Sequence, residues 1–351
     1  MSYEYPVDVT ALWSERAPIF KNLGVPTSDV DRLVEVVDDM WADRPGGWCY
    51  EWSRLADRYA TSGDAWLAVA AYGGARVPCL ANDAKATAHR HQIEQYQFAA
   101  ADFPVTFERR TLTARFRGEI VEVPLHILAE PDATESTPVL VVTGGIDTWK
   151  MDLHQMWVAY ALNAHVRVVA CDIPGTGELT HVPLTADSTA IIDQVVAFAH
   201  TLTTGRVGQL GMSFGGYFSA HSGLTGIVDA AVVVGGPVLN AFTADNVDRL
   251  IYGMRDIFAN ALGFTCVPTN EEVADIAKTF QMGDLLDRST NCPMLVINGD
   301  QDAHIPLADT QLFEGRLDTE VEIVAGGTHC AANKLEHVIT TNFQWLITAL
   351  H

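Results

Sequence analysis

Apolar residues follow two different spacings along the chain. In residues 7–101 they recur with the period of a helix, which predicts several amphipathic helices and no strand. The spacing changes at Phe103-Pro104. From there polar and apolar residues alternate through 105–116 and 120–129, on either side of Arg117-Gly118, and this pattern predicts a β-hairpin.

After the hairpin, continuous apolar runs alternate with amphipathic stretches. This order predicts a mostly parallel sheet with helices on both faces. The predicted strands are 138–143, 166–171, 208–212, 230–234, 294–298 and 321–324. Residues 242–287 interrupt the alternation with a helical pattern, which we interpret as a cap inserted at about 240–290. We therefore predict an N-terminal helical, lid-like domain over 1–104 and a sheet domain with a cap over 105–351.

Composition narrows the range of partners. The 351 residues are 48% hydrophobic, which supports a substantial core, and they carry a formal net charge of −22. Such a charge opposes binding to nucleic acid or to an anionic membrane, and steering of a cationic substrate is the alternative use for it. The six cysteines include no Cys-x-x-Cys pair, which is typical of reduced thiols. Because the sequence also shows no secretory signal and no apolar run of bilayer length, we predict a cytoplasmic protein.

One short motif suggests a nucleophile. Gly211-Met212-Ser213-Phe214-Gly215-Gly216 follows an apolar run and precedes a helical pattern. Glycines on both flanks allow a sharp turn between a strand and a helix, and such a turn exposes the serine hydroxyl. Ser213 is therefore the candidate nucleophile, and the backbone N–H of Phe214 is a candidate donor to an oxyanion.

A serine nucleophile needs a base and a group that orients the base, and in this type of turn they follow in the order serine, acid, histidine. Asp302 follows one predicted strand and His329 follows the last one. Both lie where the carboxyl ends of parallel strands gather a site. We predict Asp302 as the acid and His329 as the base. Asp300 is the competing acid, and Asp302 would otherwise be a turn residue.

The second oxyanion donor is expected after strand 138–143, in Gly144-Gly145-Ile146-Asp147. The sequence does not distinguish Gly145 from Ile146. The alternative is that these glycines only permit a turn, with Asp147 capping a helix that starts at Thr148. Trp149 and Asp147 are the candidates for the wall of a substrate pocket.

Nucleotide and metal sites have little support. Asp172-Ile173-Pro174-Gly175-Thr176-Gly177-Glu178 contains Gly-x-Gly after a strand but lacks the third glycine of a dinucleotide loop. The sequence has no His-Glu-x-x-His and no acidic cluster with calcium-loop spacing. We therefore predict no metal and no cofactor.

These motifs resemble those of the α/β-hydrolase superfamily over residues 105–351. Within it, the chain is similar to the branch that includes the FrsA-type esterase-like proteins, the bacterial 2,6-dihydroxypseudooxynicotine hydrolase and fungal polyketide-shortening hydrolases. The helical N-terminal region, Gly144 to Asp147, Asp172 to Glu178 and Gly211 to Gly216 carry this closer match. The resemblance implies an α/β-hydrolase fold, the triad Ser213, Asp302 and His329, and a substrate cavity between the N-terminal helices, the cap and the sheet.

Members of that branch hydrolyse carbon–carbon bonds beside ketones, or esters. The resemblance thus implies a cofactor-independent serine hydrolase that acts on a small carbonyl compound, apolar or aromatic, through an acyl-enzyme. Two alternatives remain: acyl transfer or thioester release on the same triad, and a non-catalytic small-molecule receptor on a hydrolase scaffold. The oligomeric state stays open, with a homodimer among the alternatives.

The N-terminal region is rich in aromatic residues, and they allow two interpretations. Either they pack a small helical domain against the sheet, or one or two of them line an apolar pocket for a ligand. The residues are Trp13, Trp41, Trp48, Tyr50, Trp52, Tyr59, Trp66 and Tyr72.

Overall fold

A computed structural model describes residues 3–351 of the chain. Its helices in chain order are α1 Val9–Asn22, α2 Thr27–Val36, α3 Trp48–Ser62, α4 Ala65–Ala75, α5 Asp83–Ala99, α6 His154–Asn163, α7 Thr189–His200, α8 Gly215–Thr225, α9 Ala244–Arg249, α10 Met254–Ala261, α11 Asn270–Ala277, α12 Gly283–Leu286, α13 Leu307–Gln311 and α14 Leu335–Leu350. The strands are β1 Thr106–Phe116, β2 Glu119–Ala129, β3 Val139–Thr143, β4 Arg167–Cys171, β5 Val207–Met212, β6 Ala230–Val234, β7 Met294–Gly299 and β8 Thr319–Val324. None of the helices formed by residues 3–351 combines the length and the apolar character needed to cross a bilayer.

The chain divides into two compact units, and the division differs from the predicted cap. One unit contains the residues up to Phe103 together with Tyr252–Pro268, and the other contains Pro104–Ile251 and Thr269–His351. The predicted insertion at 240–290 is therefore split, because its middle part, with α10, packs with the N-terminal helices. Gly253 explains this packing locally, since a Cβ there would lie 2.9 Å from the ring of Tyr5.

The helical unit has its own aromatic core. The rings of Trp13, Phe20, Trp48 and Trp52 lie with centroids between 4.2 and 6.4 Å apart, and all four side chains are buried. The indole N–H of Trp48 donates to the carbonyl of Gly74 at 2.8 Å. These residues therefore stabilise the helical unit from within, as large apolar side chains do in any core.

The second unit is built on an eight-stranded sheet in the order β1-β2-β4-β3-β5-β6-β7-β8. β1 and β2 form an antiparallel hairpin, and β2 pairs antiparallel with β4. All further pairs in the sheet, from β4–β3 to β7–β8, are parallel. β3 and β6 are buried along their full length, which is expected for parallel strands covered on both faces. The predicted α/β architecture is confirmed.

Helices cover both faces of this sheet. α6 and α14 lie on one face, where Asn342 of α14 donates to the hydroxyl of Tyr160 of α6 at 3.0 Å. α7 and α8 contact each other and pack against the strands around β5. The carboxyl ends of β3, β5, β7 and β8 all open at one edge of the sheet, and the chain segments that follow them carry the candidate site.

The helical spacing of residues 149–162 predicts a helix from Trp149, and this predicted start is wrong. Residues 150–153 form turns, and α6 begins at His154. The backbone N–H of Trp149 donates to the carboxylate of Asp152 at 2.7 Å, which stabilises the turn instead. Asp147 therefore does not cap a helix that starts at Thr148.

Candidate active site

Ser213 lies at the apex of a tight turn between β5 and α8. Its φ is +53°, a left-handed conformation that is uncommon for a residue with a side chain. Its N–H donates to the carbonyl of Val234 in the neighbouring strand at 2.8 Å. A Cβ at Gly211 would lie 2.0 Å from the carbonyl of Gly215, so only glycine fits there. The turn therefore depends on its glycines, and it holds the serine hydroxyl clear of the sheet.

The structure brings Ser213, His329 and Asp302 together. The Nε2 atom of His329 lies 2.8 Å from Oγ of Ser213, and its Nδ1 atom lies 2.7 Å from Oδ2 of Asp302. Because an ionised carboxylate only accepts hydrogen bonds, Nδ1 carries the proton and Nε2 is the acceptor for the serine O–H. This arrangement allows the imidazole to take a proton from the hydroxyl.

Asp302, and not Asp300, contacts the histidine. The Oδ1 atom of Asp302 accepts the backbone N–H groups of His304 and Ile305, at 2.8 and 3.0 Å. Asp300 instead accepts the N–H of Gly326 at 2.7 Å. Burial acts to raise the pKa of Asp302, but the charge of His329 and the hydrogen bonds to the carboxylate outweigh it and lower the pKa.

His329 lies at the start of an irregular turn. Loss of solvent around the ring acts to lower its pKa, but Cys330 and the Asp302 carboxylate raise it well above its usual value. Cys330 Sγ is 3.6 Å from Nε2, and the ring of His304 packs edge-on with its centroid 5.3 Å away. Cys330 and Ala331 both have positive φ, so the backbone turns sharply just after the histidine.

The turn after β3 approaches Ser213 from the other side. A Cβ at Gly145 would lie 3.1 Å from the serine Oγ, so glycine keeps this position open. The N–H of Gly145 donates to the carbonyl of Thr148 at 2.9 Å. Of the two residues that the sequence left open, Ile146 is therefore the better candidate for an oxyanion donor. Phe214, the other predicted donor, immediately precedes α8.

Trp149 and Asp147 belong to the same turn. Trp149 is buried, and its indole N–H donates to the carbonyl of Ile146 at 3.1 Å, so it holds the turn in shape. Asp147 is partly exposed, and its Oδ1 accepts the hydroxyl of Thr148 at 3.3 Å. Contact of either residue with a substrate stays a prediction.

Sequence reasoning missed a buried ion cluster beside this turn. The ammonium of Lys150 lies 2.5 Å from Oδ2 of Asp172 and 2.8 Å from Oε2 of Glu178, and Arg109 contacts Glu178 from the surface. Asp172 also accepts the backbone N–H of Lys150 at 3.0 Å. In the sequence, Asp172 and Glu178 stand out only as the two ends of a glycine-containing loop. No pattern around Lys150 indicates that its side chain is buried.

Comparison with known proteins identifies the family. A family model described as "Esterase FrsA-like" matches residues 25–347. The chain belongs to the FrsA-like esterase family. Among the curated FrsA esterases, that of Vibrio parahaemolyticus is 24% identical over 307 residues, which cover 78% of this chain and 71% of the relative.

Solved structures show the same fold for the FrsA-like chain. AbyA5 superimposes with a TM-score of 0.80 at 21% identity, covering 97% of this chain and 95% of AbyA5. A 2,6-dihydroxy-pseudo-oxynicotine hydrolase gives a TM-score of 0.76 at 21% identity and covers 95% of both chains. The predicted resemblance and the α/β-hydrolase fold are confirmed. The protein is a hydrolase, as the esterases and hydrolases related to it indicate.

Proposed function

We propose that this FrsA-like protein is a cofactor-independent serine hydrolase that works through an acyl-enzyme, with Ser213 as nucleophile, His329 as base and Asp302 as orienting acid. The continuous hydrogen-bond chain from Ser213 through His329 to Asp302, with distances of 2.8 and 2.7 Å, carries the proposal. A serine hydroxyl is a weak nucleophile at neutral pH, and this chain supplies the proton acceptor that it needs.

In the first half of the reaction, Nε2 of His329 takes the Ser213 proton as Oγ bonds to the substrate carbonyl carbon. The carbonyl π electrons move to oxygen, and the N–H groups of Ile146 and Phe214 donate to this oxyanion. When the carbonyl re-forms, the bond to the leaving group breaks and His329 returns the proton to that group. With this proton, the leaving group departs as an alcohol from an ester, or as a neutral enol or arene from a ketone.

In the second half of the reaction, water is the nucleophile that attacks the acyl-enzyme. His329 accepts one water proton as the hydroxide oxygen bonds to the acyl carbon, and it then protonates Ser213 Oγ as the acyl–serine bond breaks. The products are the carboxylic acid and the regenerated enzyme. Each step uses one proton and one base, so no oxidant or cofactor is required.

The substrate we propose is a small apolar or aromatic carbonyl compound, either an ester or a ketone cleaved at its carbon–carbon bond. Ile146 and Phe214, whose backbone N–H groups are the proposed donors, both have apolar side chains. The family name supports the ester. The fold shared with the 2,6-dihydroxy-pseudo-oxynicotine hydrolase is the reason to test an aryl ketone beside it.

Replacement of Ser213 by alanine tests the nucleophile. We expect hydrolysis of a short p-nitrophenyl ester to disappear, and a fluorophosphonate adduct to form on the native protein and not on the variant. The matched control is Ser219→Ala, because Ser219 is a buried serine of the same turn-and-helix segment, and its hydroxyl donates to the carbonyl of Gly216 at 3.3 Å. Full activity of Ser213→Ala, or labelling elsewhere, would refute the proposal.

Product analysis separates the reaction types. An aryl 1,3-diketone and the matching aryl ester are incubated with the enzyme, and the products are identified by NMR, with and without an added alcohol or amine acceptor. Acid as the only acyl product supports hydrolysis, whereas an ester or amide of the acceptor supports acyl transfer. Tight binding of the ketone without turnover or serine labelling would instead indicate a receptor.

A further inference from the structure

Asn298 joins the two loops that carry the acid and the histidine. It lies near the end of β7 and is completely buried. Its Nδ2 atom donates to Oδ2 of Asp302 at 2.8 Å, and its Oδ1 atom accepts the backbone N–H of Cys330 at 3.0 Å. A carboxylate can only accept and an N–H can only donate, so the orientation of this amide follows from its two partners.

We propose that Asn298 is a positioning residue that fixes the orientation of Asp302 and the backbone turn beside His329 at the same time. The inference rests on the proposed function of these two residues. No motif indicated it, because an asparagine at the end of a strand is typical of a turn.

The first bond acts on the oxygen that orients the histidine. Oδ2 of Asp302 accepts hydrogen bonds from the amide of Asn298 and from Nδ1 of His329, while Oδ1 accepts hydrogen bonds from two backbone N–H groups. The carboxylate is thus held on both oxygens and cannot rotate without breaking several bonds. The amide also shares the negative charge of Oδ2, which limits how strongly Asp302 stabilises a protonated His329.

The second bond acts on the backbone that carries the histidine. Cys330 has φ of +56°, a conformation that needs support from its surroundings. The acceptor of its N–H is Asn298, on the neighbouring strand. Gly235 leaves the space for this contact, because a Cβ there would lie 2.7 Å from Cys330 Sγ and 3.2 Å from Asn298 Oδ1.

Removal of the amide therefore has two consequences. The proposed proton transfer becomes slower because the imidazole is less well placed against Ser213. The pKa of His329 rises further, because Oδ2 of Asp302 has one donor fewer. Two other titratable groups face the ring: Cys330, whose Sγ lies 3.6 Å from Nε2, and His304, whose ring packs edge-on with its centroid 5.3 Å away.

The experiment compares the native enzyme with Asn298→Ala, Asn298→Leu and a control, Asn342→Ala. Leucine keeps the branched shape of the asparagine side chain without its polar atoms and fills the space that alanine leaves empty, so the two variants disturb the packing in opposite directions. Asn342 is also a buried asparagine of the same unit; it lies within α14, outside the loops that carry Asp302 and His329, and donates to Tyr160 at 3.0 Å. We measure kcat and KM for a p-nitrophenyl ester against pH, and the titration of the His329 ring by NMR without substrate.

For both Asn298 variants we expect kcat to fall about tenfold to hundredfold at little change in KM, the size expected when a buried polar partner is removed. The acid limb of the pH profile and the NMR midpoint of His329 should move to higher pH. In Asn342→Ala the melting temperature should fall while both midpoints stay in place.

Unchanged midpoints in folded Asn298 variants, or midpoints moved to lower pH, would overturn the proposal. So would failure of both variants to fold, because the role would then be structural. The NMR titration needs no catalysis. It therefore distinguishes failure of this inference from failure of the proposed function, which the Ser213→Ala assay tests separately.

Discussion

On one side of Ser213, the loops after β7 and β8 meet at the carboxylate of Asp302. This carboxylate accepts hydrogen bonds from the His329 ring, the Asn298 amide and two backbone N–H groups. On the other side, the turn after β3 leads into Lys150, whose ammonium lies between Asp172 and Glu178. Both arrangements are charged and both lie at the same edge of the sheet. They differ in what surrounds each carboxylate: neutral N–H donors predominate around Asp302, whereas Asp172 and Glu178 share the positive charge of Lys150.

The difference reflects what each side has to do. Burial acts to lower the pKa of Lys150, but the two carboxylates raise it, and the ammonium in turn lowers the pKa of Asp172 and Glu178. These charges therefore stay fixed over the working pH range and serve as a rigid support. On the Asp302 side, the imidazole has to gain and lose a proton in every proposed cycle. Neutral donors such as Asn298 hold the acid in place without adding a second fixed charge next to that proton.

The largest effect should come from Asp302→Asn. Asparagine keeps the shape but offers an amide where His329 needs a carboxylate, so the wrong imidazole tautomer is favoured. We expect kcat to fall by about four orders of magnitude with the fold intact. Steady-state kinetics on an ester and a circular dichroism spectrum check this.

Asp300→Asn is the matched control, because Asp300 is in the same loop and bonds Gly326 instead of the histidine. It should keep most of the activity. Equal losses in the two variants would contradict the distinction between them.

On the other side, Lys150→Met should act on stability first. The substitution leaves Asp172 buried without its cation and leaves Glu178 with its surface contact to Arg109, and we expect the free energy of unfolding to fall by about 3–5 kcal/mol. Urea denaturation measures the change.

Two comparisons sharpen this prediction. Addition of Asp172→Asn and Glu178→Gln to Lys150→Met should recover part of the loss, since no buried carboxylate then lacks its cation. Lys278→Met removes an exposed ion pair with Asp275 and should leave the unfolding curve in place. A Lys150→Met protein as stable as the native one would show that the cluster does not support the fold.

The pH dependence of activity should come from the Asp302 side. Because the pKa of His329 is raised, kcat/KM should rise with pH by about tenfold per unit until the ring is neutral, with a midpoint above the usual value of about 6.5. For folding, a raised pKa means that His329 stabilises the protein below its unfolded pKa and loses this contribution as pH rises through the folded one. Asp302, with a lowered pKa, stabilises above its unfolded pKa and loses its contribution as pH falls through the folded one.

Profiles of kcat/KM and of melting temperature against pH measure both effects. An acid limb at or below the usual histidine pKa would contradict the first.

The smallest effect should come from Trp149→Phe. It removes the indole donor to Ile146 while keeping an aromatic ring in the buried site. We expect kcat to fall about threefold to tenfold, the size of one neutral hydrogen bond, with no change in the pH midpoint. Trp345→Phe, which loses an exposed bond to Glu320, is the control. A moved pH midpoint in Trp149→Phe would show that the two sides of Ser213 are coupled.

The strand-and-helix order and the position of Ser213 were predictable, because period and glycine placement are local properties. Asp302 and His329 were predictable because the ends of parallel strands share one edge. Asp302 was also preferred over Asp300 from the sequence, but Asp300 stayed open as the competing acid, since the two residues differ in which neighbour each carboxylate reaches. The start of α6 was missed, because Asp152 bonds Trp149 and stabilises a turn in a segment with a helical pattern.

Taken by itself, the order of residues determined the periodic elements and the glycine turn at Ser213, since each depends on neighbours within a few positions. It also determined the family, through a match that extends over residues 25–347. The tertiary structure alone decided that Asp300 bonds Gly326 instead of His329, that the N–H of Gly145 donates to Thr148, and that Lys150 and Asn298 are buried between partners. Those partners lie on other strands and loops. Hydrogen bonds and ion pairs depend on distance and direction in space, which separation along the chain does not specify.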